Sequence, residues 1–576
     1  MLLLSNLALL LALLANPWLL ARNLHRRADA LTTLAIAGVC AVSLGILGPL
    51  SLHLARIPIS PASLSAFHGV IFLMLAGLSA LRSIHPLLPA VVSRGGPASP
   101  LEVPHPLLSP AGMALVFCLL IIPFTPMAGR DTYKYQDLAS VVQVDRAITW
   151  LIHPLSLFGF TPRSYSSAQP LLLSSIAIMS GAGVGVSFYI LSVLCGLLGL
   201  AAVSLLARHL FPDKSTAAWM TFFYVFSLVF LRYNFWAIGR GLFLDILPLF
   251  VFGLLNLHRF RAILGTAWCA LLLCMSHKTG LIAVLLLPAA FLAGVLLLPP
   301  CRPAATQPRF PPLWRILLPC LLFLAALVAG YLVAGQSLAH ALVRGIPRLS
   351  VLFPLAFIGA CFVLAPPYGR PAARAMTMAA LAFLPMVFTD DMYGALIAVL
   401  FIAFLAAAGM ERLVFLIPGR AHNVLRNTAF TAVLLPAVTI IVYQSTDSPS
   451  WDVVRAARFL NRHDPLGPYR IEAPGATRPR MQAYLDGCPR FNVTDSFKPP
   501  TLRPPPPLRG PLRTRAQDIT SYLRCCLALP EASTDWYGNS KKVYYVTEGN
   551  QGMIPKGSRR LFTSGNVSVY EPPEAP

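Results

Sequence analysis

The side chains able to do chemistry in this chain are few, and they sit in short polar interruptions of long apolar runs. Asp131 stands near the head of GRDTYKYQDLASVVQVDRAITW (129–150), just past the hydrophobic stretch 107–126. A carboxylate at a water boundary can act as general base toward an acceptor hydroxyl, because low local polarity holds its pKa near the working range. It can equally pair with Arg130 or cap the helix that follows. Arg240 and Asp245 belong to YNFWAIGRGLFLDILPLF (233–250), the acid about one and a half turns deeper than the base. A guanidinium can hold a phosphate through its two-pronged fork; the plainer alternative is a loose Arg240–Asp245 pair that neutralises a buried acid.

Ser276-His277-Lys278-Thr279 breaks another apolar run. Lys278 is a second candidate phosphate ligand, and His277 either assists it or caps the turn. Asp390-Asp391, followed closely by Tyr393, makes a tight turn whose paired carboxylates can hold a divalent metal through hard oxygen ligands, or simply solvate the turn. Arg344 and Arg348 flank one more polar break, suited to steering a phosphate or to resting on anionic headgroups. No GxGxxG, Walker loop, GxSxG or HExxH stands in a context that would let it work, so a donor substrate is expected to be lipid-borne.

The elements that position these groups follow from composition. The 576 residues are 56% hydrophobic and only 12% charged, with mean hydropathy +0.68, which predicts a polytopic α-helical membrane protein. The formal charge of +23 is therefore assigned to basic loops on one side of a membrane rather than to nucleic-acid binding. The 11 cysteines show no metal-ligand spacing; Cys488, Cys525 and Cys526 lie in a polar C-terminal region and most others in apolar spans.

About 13–14 spans can be drawn, near the length a bilayer requires. The first, 1–20, lacks a basic leader and is followed by Arg22, Arg26 and Arg27, which predicts a retained helix with its N-terminus outside. Loops then alternate. One side receives Arg82/Arg94, Arg208/Lys214, Arg259/Arg261, Arg302/Arg309/Arg315, Arg370/Arg374 and Arg412/Arg420/Arg426, and is read as cytoplasmic. The other side receives the loop 127–185, the Arg232–Arg240 turn, His277-Lys278, Arg344/Arg348, Asp390-Asp391 and everything after about residue 445. Boundary charges are expensive and tend to be functional or paired, so their convergence on one face marks it as the working face.

Within the large outer loop, Leu138, Val141, Val142, Val144, Ile148 and Leu151 fall at helical spacing, predicting an amphipathic helix along the membrane surface, with Asp137 and Asp145 interrupting its apolar set. LLLSSIAIMSGAGVG (171–185) is expected as a re-entrant or surface segment. Three parts result: 1–106, extra N-terminal spans; 107–444, a transmembrane core; and 445–576, a small extracytoplasmic α/β domain. In the last, WDVVRAARFLNRH (451–463) patterns as an amphipathic helix, KKVYYVTEG (541–549) and NVSVYEP (566–572) alternate as strands, and 498–513 is a proline-rich linker.

These pieces together resemble the GT-C superfamily of polyprenyl-phosphate-sugar-dependent glycosyltransferases, in particular bacterial relatives of protein mannosyltransferases. The resemblance covers about residues 107–300. It rests on the acid in GRDTYKY, the loop helix ending at Phe160, the run GAGVGVSFYILSVLCGLLGLAAVSLLARHLF, the segment GRGLFLD and the hairpin SHKTGL. It implies that Asp131 is the base and that Arg240 and Lys278 bind the lipid phosphate. The implied partners are a polyprenyl-phosphate sugar donor, membrane lipid, and a glycan, lipid or protein acceptor, with a divalent metal as an optional cofactor. That family usually places its acid after the first helix, whereas here three extra spans precede it, and its second loop acid has only Asp137 or Asp145 as a counterpart. The competing expectations are a lipid-linked glycan transporter, a glycan polymerase or ligase, and a non-catalytic membrane scaffold. A transporter should show related halves and charges along a crossing path.

Overall fold

The computed structural model describes residues 15–24, 29–84, 106–122, 130–148, 151, 154–159, 166–181, 184–297, 352–363, 371–389, 393–417, 421–445, 451–463, 469–472, 497–498, 531–532, 542–548, 554, 557–564 and 567–571. From Asn16 to Ser445 the described elements are helices; beyond that, helix and strand mix. In chain order the helices are α1 (Asn16–Leu24), α2 (Ala30–Leu54), α3 (Pro61–Ile84), α4 (Pro110–Ile121), α5 (Arg130–Asp145), α6 (Ala168–Ser180), α7 (Val184–Leu210) and α8 (Lys214–Val225). They continue as α9 (Leu228–Phe235), α10 (Gly239–Leu254), α11 (Phe260–Ser276), α12 (Thr279–Leu297), α13 (Leu352–Val363), α14 (Pro371–Thr389), α15 (Tyr393–Leu416), α16 (Ala421–Ser445) and α17 (Trp451–His463).

Among the described residues, five helices are long and apolar enough to cross a membrane: α2, α7, α12, α15 and most of α16. A sixth is obtained if α8 and α9, bent by 51° at their junction, form one span. Several other stretches drawn as spans fold as shorter apolar helices, Pro110–Ile121, Ala262–Ser276 and Leu352–Phe362 among them. Helix starts are capped where the sequence offers a short polar side chain. Asp29, Ser109, Asp213 and Ser227 each accept a hydrogen bond from the backbone N–H three residues on, filling one donor that the helix cannot fill itself.

Contacts between helix ends sort into two groups. At one end Arg208 pairs with Asp29 at 3.5 Å, and Arg374 donates to the Val295 carbonyl at 3.0 Å. At the other, Ile59 N–H donates to Arg146 O at 2.8 Å, Ile148 N–H to His53 Nδ1 at 3.3 Å, and the groups described below converge. Among the described residues, each of these contacts joins helix ends that the charge pattern assigns to the same side.

Two expectations for the loop 127–185 are refined. Of the stretch expected as a re-entrant or surface segment, the part up to Ser180 lies in α6, in which every residue from Ala168 to Met179 is buried, which excludes the surface alternative and leaves the re-entrant one. It is enclosed by α2, α5 and α7, and Ser175 Oγ donates to Gly45 O at 2.6 Å; thirteen residues reach only about 20 Å, too short to span. The helix expected from 138 onward begins at Arg130 and ends at Asp145, where Arg146 turns left-handed at φ 54°. Leu138, Val141 and Val142 are buried as the spacing predicts, but so are Thr132, Gln136 and Ser140. The helix is packed into the bundle on more than one face, and Thr132 finds a partner there in the Trp236 carbonyl.

The C-terminal part has a hydrophobic cluster of its own. A four-stranded sheet runs in the order β1 (Tyr469–Glu472), β4 (Lys542–Glu548), β6 (Val567–Glu571), β5 (Arg559–Ser564), with only the β1–β4 pair parallel. Tyr544 and Val546, and Val567 and Val569, present alternate positions to Val453, Ala456, Ala457 and Leu460 of α17. Two two-residue strands, β2 (Phe497–Lys498) and β3 (Glu531–Ala532), pair apart from that sheet. The proline-rich run after Lys498 lies outside the described residues.

Candidate anion site at converging helix ends

The segment YNFWAIGRG folds as the end of α9, a tight turn and the first residues of α10. Gly239 and Gly241 flank Arg240, and neither position has room for a side chain. A Cβ on Gly239 would lie 2.2 Å from Ser276 O, and one on Gly241 2.6 Å from Tyr233 O. The missing side chains let the start of α10 touch both the end of α11 and the end of α9, which puts Arg240 between them. Between α9 and α10, Ala237 takes a left-handed φ of 44°. Its carbonyl accepts from Gln169 Nε2, and the Trp236 carbonyl accepts from Thr132 Oγ1 at 3.1 Å. Backbone strain of this kind costs about 1–3 kcal/mol and persists where neighbours on both sides hold it.

Three segments meet here. The Arg240 guanidinium lies 5.3 Å from the centre of the Tyr233 ring and 5.5 Å from that of Tyr393. The Lys278 ammonium is 5.4 Å from the same Tyr393 ring. The His277 imidazole packs against it as well, 5.4 Å away and tilted by 31°. A further cation, Arg232, lies 4.4 Å over Trp236 and 5.9 Å over Tyr233. Each such contact contributes about 0.5–2 kcal/mol, more as water is excluded. The ring faces carry partial negative charge, which favours cations placed against them.

His277 has a definite local task. Its Nδ1 accepts from Thr279 N–H at 3.2 Å and lies 2.6 Å from Thr279 Oγ1, so the imidazole caps the start of α12. With Nδ1 accepting, the ring proton belongs on Nε2. Burial, then the cations of Arg240 and Lys278, hold the imidazole well below its ordinary value, so it is neutral. Of the two roles open to His277, capping is the one seen.

Asp131 lies inside the first turn of α5 rather than ahead of it, so it is not the residue preceding the helix. Its side chain lies outside the described residues. The backbone around it is placed by its neighbours: Thr132 bonds the Trp236 carbonyl, and Tyr135, one turn on, brings its hydroxyl to 2.8 Å from where a Gly239 Cβ would stand. The first turn of α5 therefore abuts the turn that carries Arg240.

Asp245 is not Arg240's partner. It is wholly buried, and its Oδ1 accepts from Asn234 Nδ2 at 3.1 Å. Oδ2 has no hydrogen-bond partner, and no ion pair reaches the group among the described residues. Arg344, Arg348, Asp390 and Asp391 lie outside the described residues. Among those described, no cluster of three or more His, Cys, Asp or Glu could hold a metal ion. Tyr233, Gln169, Thr132 and the left-handed Ala237 were not singled out by sequence; the GRG triplet was the available signal, since two glycines around a charge mark a close backbone approach.

No protein-family model, no curated protein and no solved structure matches the chain.

Proposed function

We propose that this protein is a GT-C-like membrane glycosyltransferase with about 13–14 spans. In this scheme it moves a sugar from a polyprenyl-phosphate donor to an acceptor hydroxyl on the outer face of the cell membrane. The observation that carries the proposal is the gathering of Arg240 and Lys278 on one ring, Tyr393, beside the helix turn that bears Asp131. Asp131 takes the proton of the acceptor hydroxyl, whose oxygen attacks the anomeric carbon from the face opposite the phosphate. The sugar–phosphate C–O bond breaks, the polyprenyl phosphate leaves with the electron pair, and its charge is met by Arg240 and Lys278. Stabilising charge where it develops is the largest contribution a site of this kind makes. The domain from about residue 445 onward lies on the same outer side and helps to position a glycan, lipid or protein acceptor.

The test uses purified full-length protein in nanodiscs, a panel of polyprenyl-phosphate hexoses and pentoses, and release of polyprenyl phosphate as the readout. Asp131→Asn should lower release by about 10²–10⁴-fold, the usual share of a general base. Unchanged release in a folded Asp131→Asn protein would sink the mechanism.

A further inference from the structure

Resting on the anion-binding role just proposed, we propose that Tyr393 is the positioning residue of that site: its ring face holds Arg240 and Lys278 together in the orientation that receives a lipid phosphate. The two cations come from different segments, the start of α10 and the α11–α12 turn. What they share is the Tyr393 ring, at 5.5 and 5.4 Å. Lys278 is exposed and, among the described residues, forms no ion pair, so the ring is what gives its flexible stem a preferred direction. Tyr393 in turn is the first residue of α15, in which every residue from Gly394 to Met410 is buried. A ring on the end of so enclosed a helix is a fixed reference point, and rigid elements place functional groups more accurately than loops do. His277 packs on the same ring while capping α12, which locks the turn carrying Lys278 to α15.

The experiment replaces residue 393 in the full-length protein and measures binding of farnesyl phosphate in detergent, with farnesol as the uncharged control. Tyr393→Phe keeps the ring face and should bind within about threefold of wild type. Tyr393→Leu should bind about tenfold more weakly, the equivalent of two modest ring–cation contacts. A graded series of mono-, di- and trifluorinated phenylalanines at 393 keeps the shape while draining the ring face. Affinity should fall stepwise along it, a response that mere packing does not give. The series also decides the matter if Tyr393→Leu does not fold. Flat affinity along the series would overturn the role of Tyr393 while leaving the anion site standing. Failure of the wild type to prefer farnesyl phosphate over farnesol would overturn both.

Discussion

Asn234 Nδ2 donates to Asp245 Oδ1 at 3.1 Å, deep among α7, α9 and α10, and this amide is the polar partner that the buried acid has. Gly199 of α7 makes the space, since a Cβ there would lie 2.5 Å from the same oxygen. With no cation to lose, Asp245→Asn should change stability by less than about 1 kcal/mol, whereas Asp245→Leu leaves Asn234 Nδ2 with only its bond to Phe230 O and should cost about 1–3 kcal/mol. Thermal unfolding in detergent separates the two. Equal losses would mean that the acid is held by charge rather than by its amide.

The left-handed turn at Ala237 gives a second expectation. An alanine at φ 44° costs about 1–2 kcal/mol relative to a right-handed position, and glycine relieves that at a smaller entropic penalty. Ala237→Gly should therefore raise the unfolding temperature, by a net gain of about 0.5–1 kcal/mol. If the turn's strain is used to aim Arg240, affinity for an anionic lipid will fall while stability rises.

A third concerns pH. The folded-state pKa of His277 is depressed below the unfolded value of about 6.5, so the unfolded chain binds the proton first. Its contribution is fully present above the unfolded value and is lost as pH falls below it. The unfolding temperature should drop between about pH 7 and about pH 5, and drop less in His277→Asn, whose Oδ1 can still accept from Thr279 N–H. An identical drop in the variant would assign the sensitivity to other groups.

How much of this was legible from sequence depended on the solvent around each segment. Trp451–His463 folds over the residues its pattern marks, because water on one side gives an amphipathic helix its contrast. Lys542–Glu548 and Val567–Glu571 were equally clear from alternation, while the short YRIE and the basic RRLFTS strands gave too little contrast to stand out. In the bundle, lipid and core are equally apolar, so side-chain period fades and only charges mark helix ends. Those charges sorted the loops into two groups that the contacts at Asp29–Arg208 and His277–Tyr393 respect. They could not reveal that α6 is enclosed, nor that FYVFSLVFLRYNF breaks into two helices. At the site, Arg240, His277 and Lys278 do come together, but the ring that joins them lies far along the chain.

That break between α8 and α9 has a mechanical side. The 51° bend is finished at Ser227, whose hydroxyl donates to Tyr224 O at 2.7 Å and accepts from Phe230 N–H at 3.2 Å. Phe222, Phe223, Phe226 and Phe230 fill the space around it. Backbone groups at a bend inside an apolar medium must be satisfied locally. The bent junction carries Arg232, Tyr233 and Trp236 toward Arg240. In the scheme proposed above, that side of the site is built before the ligand arrives, and the incoming molecule must fit it.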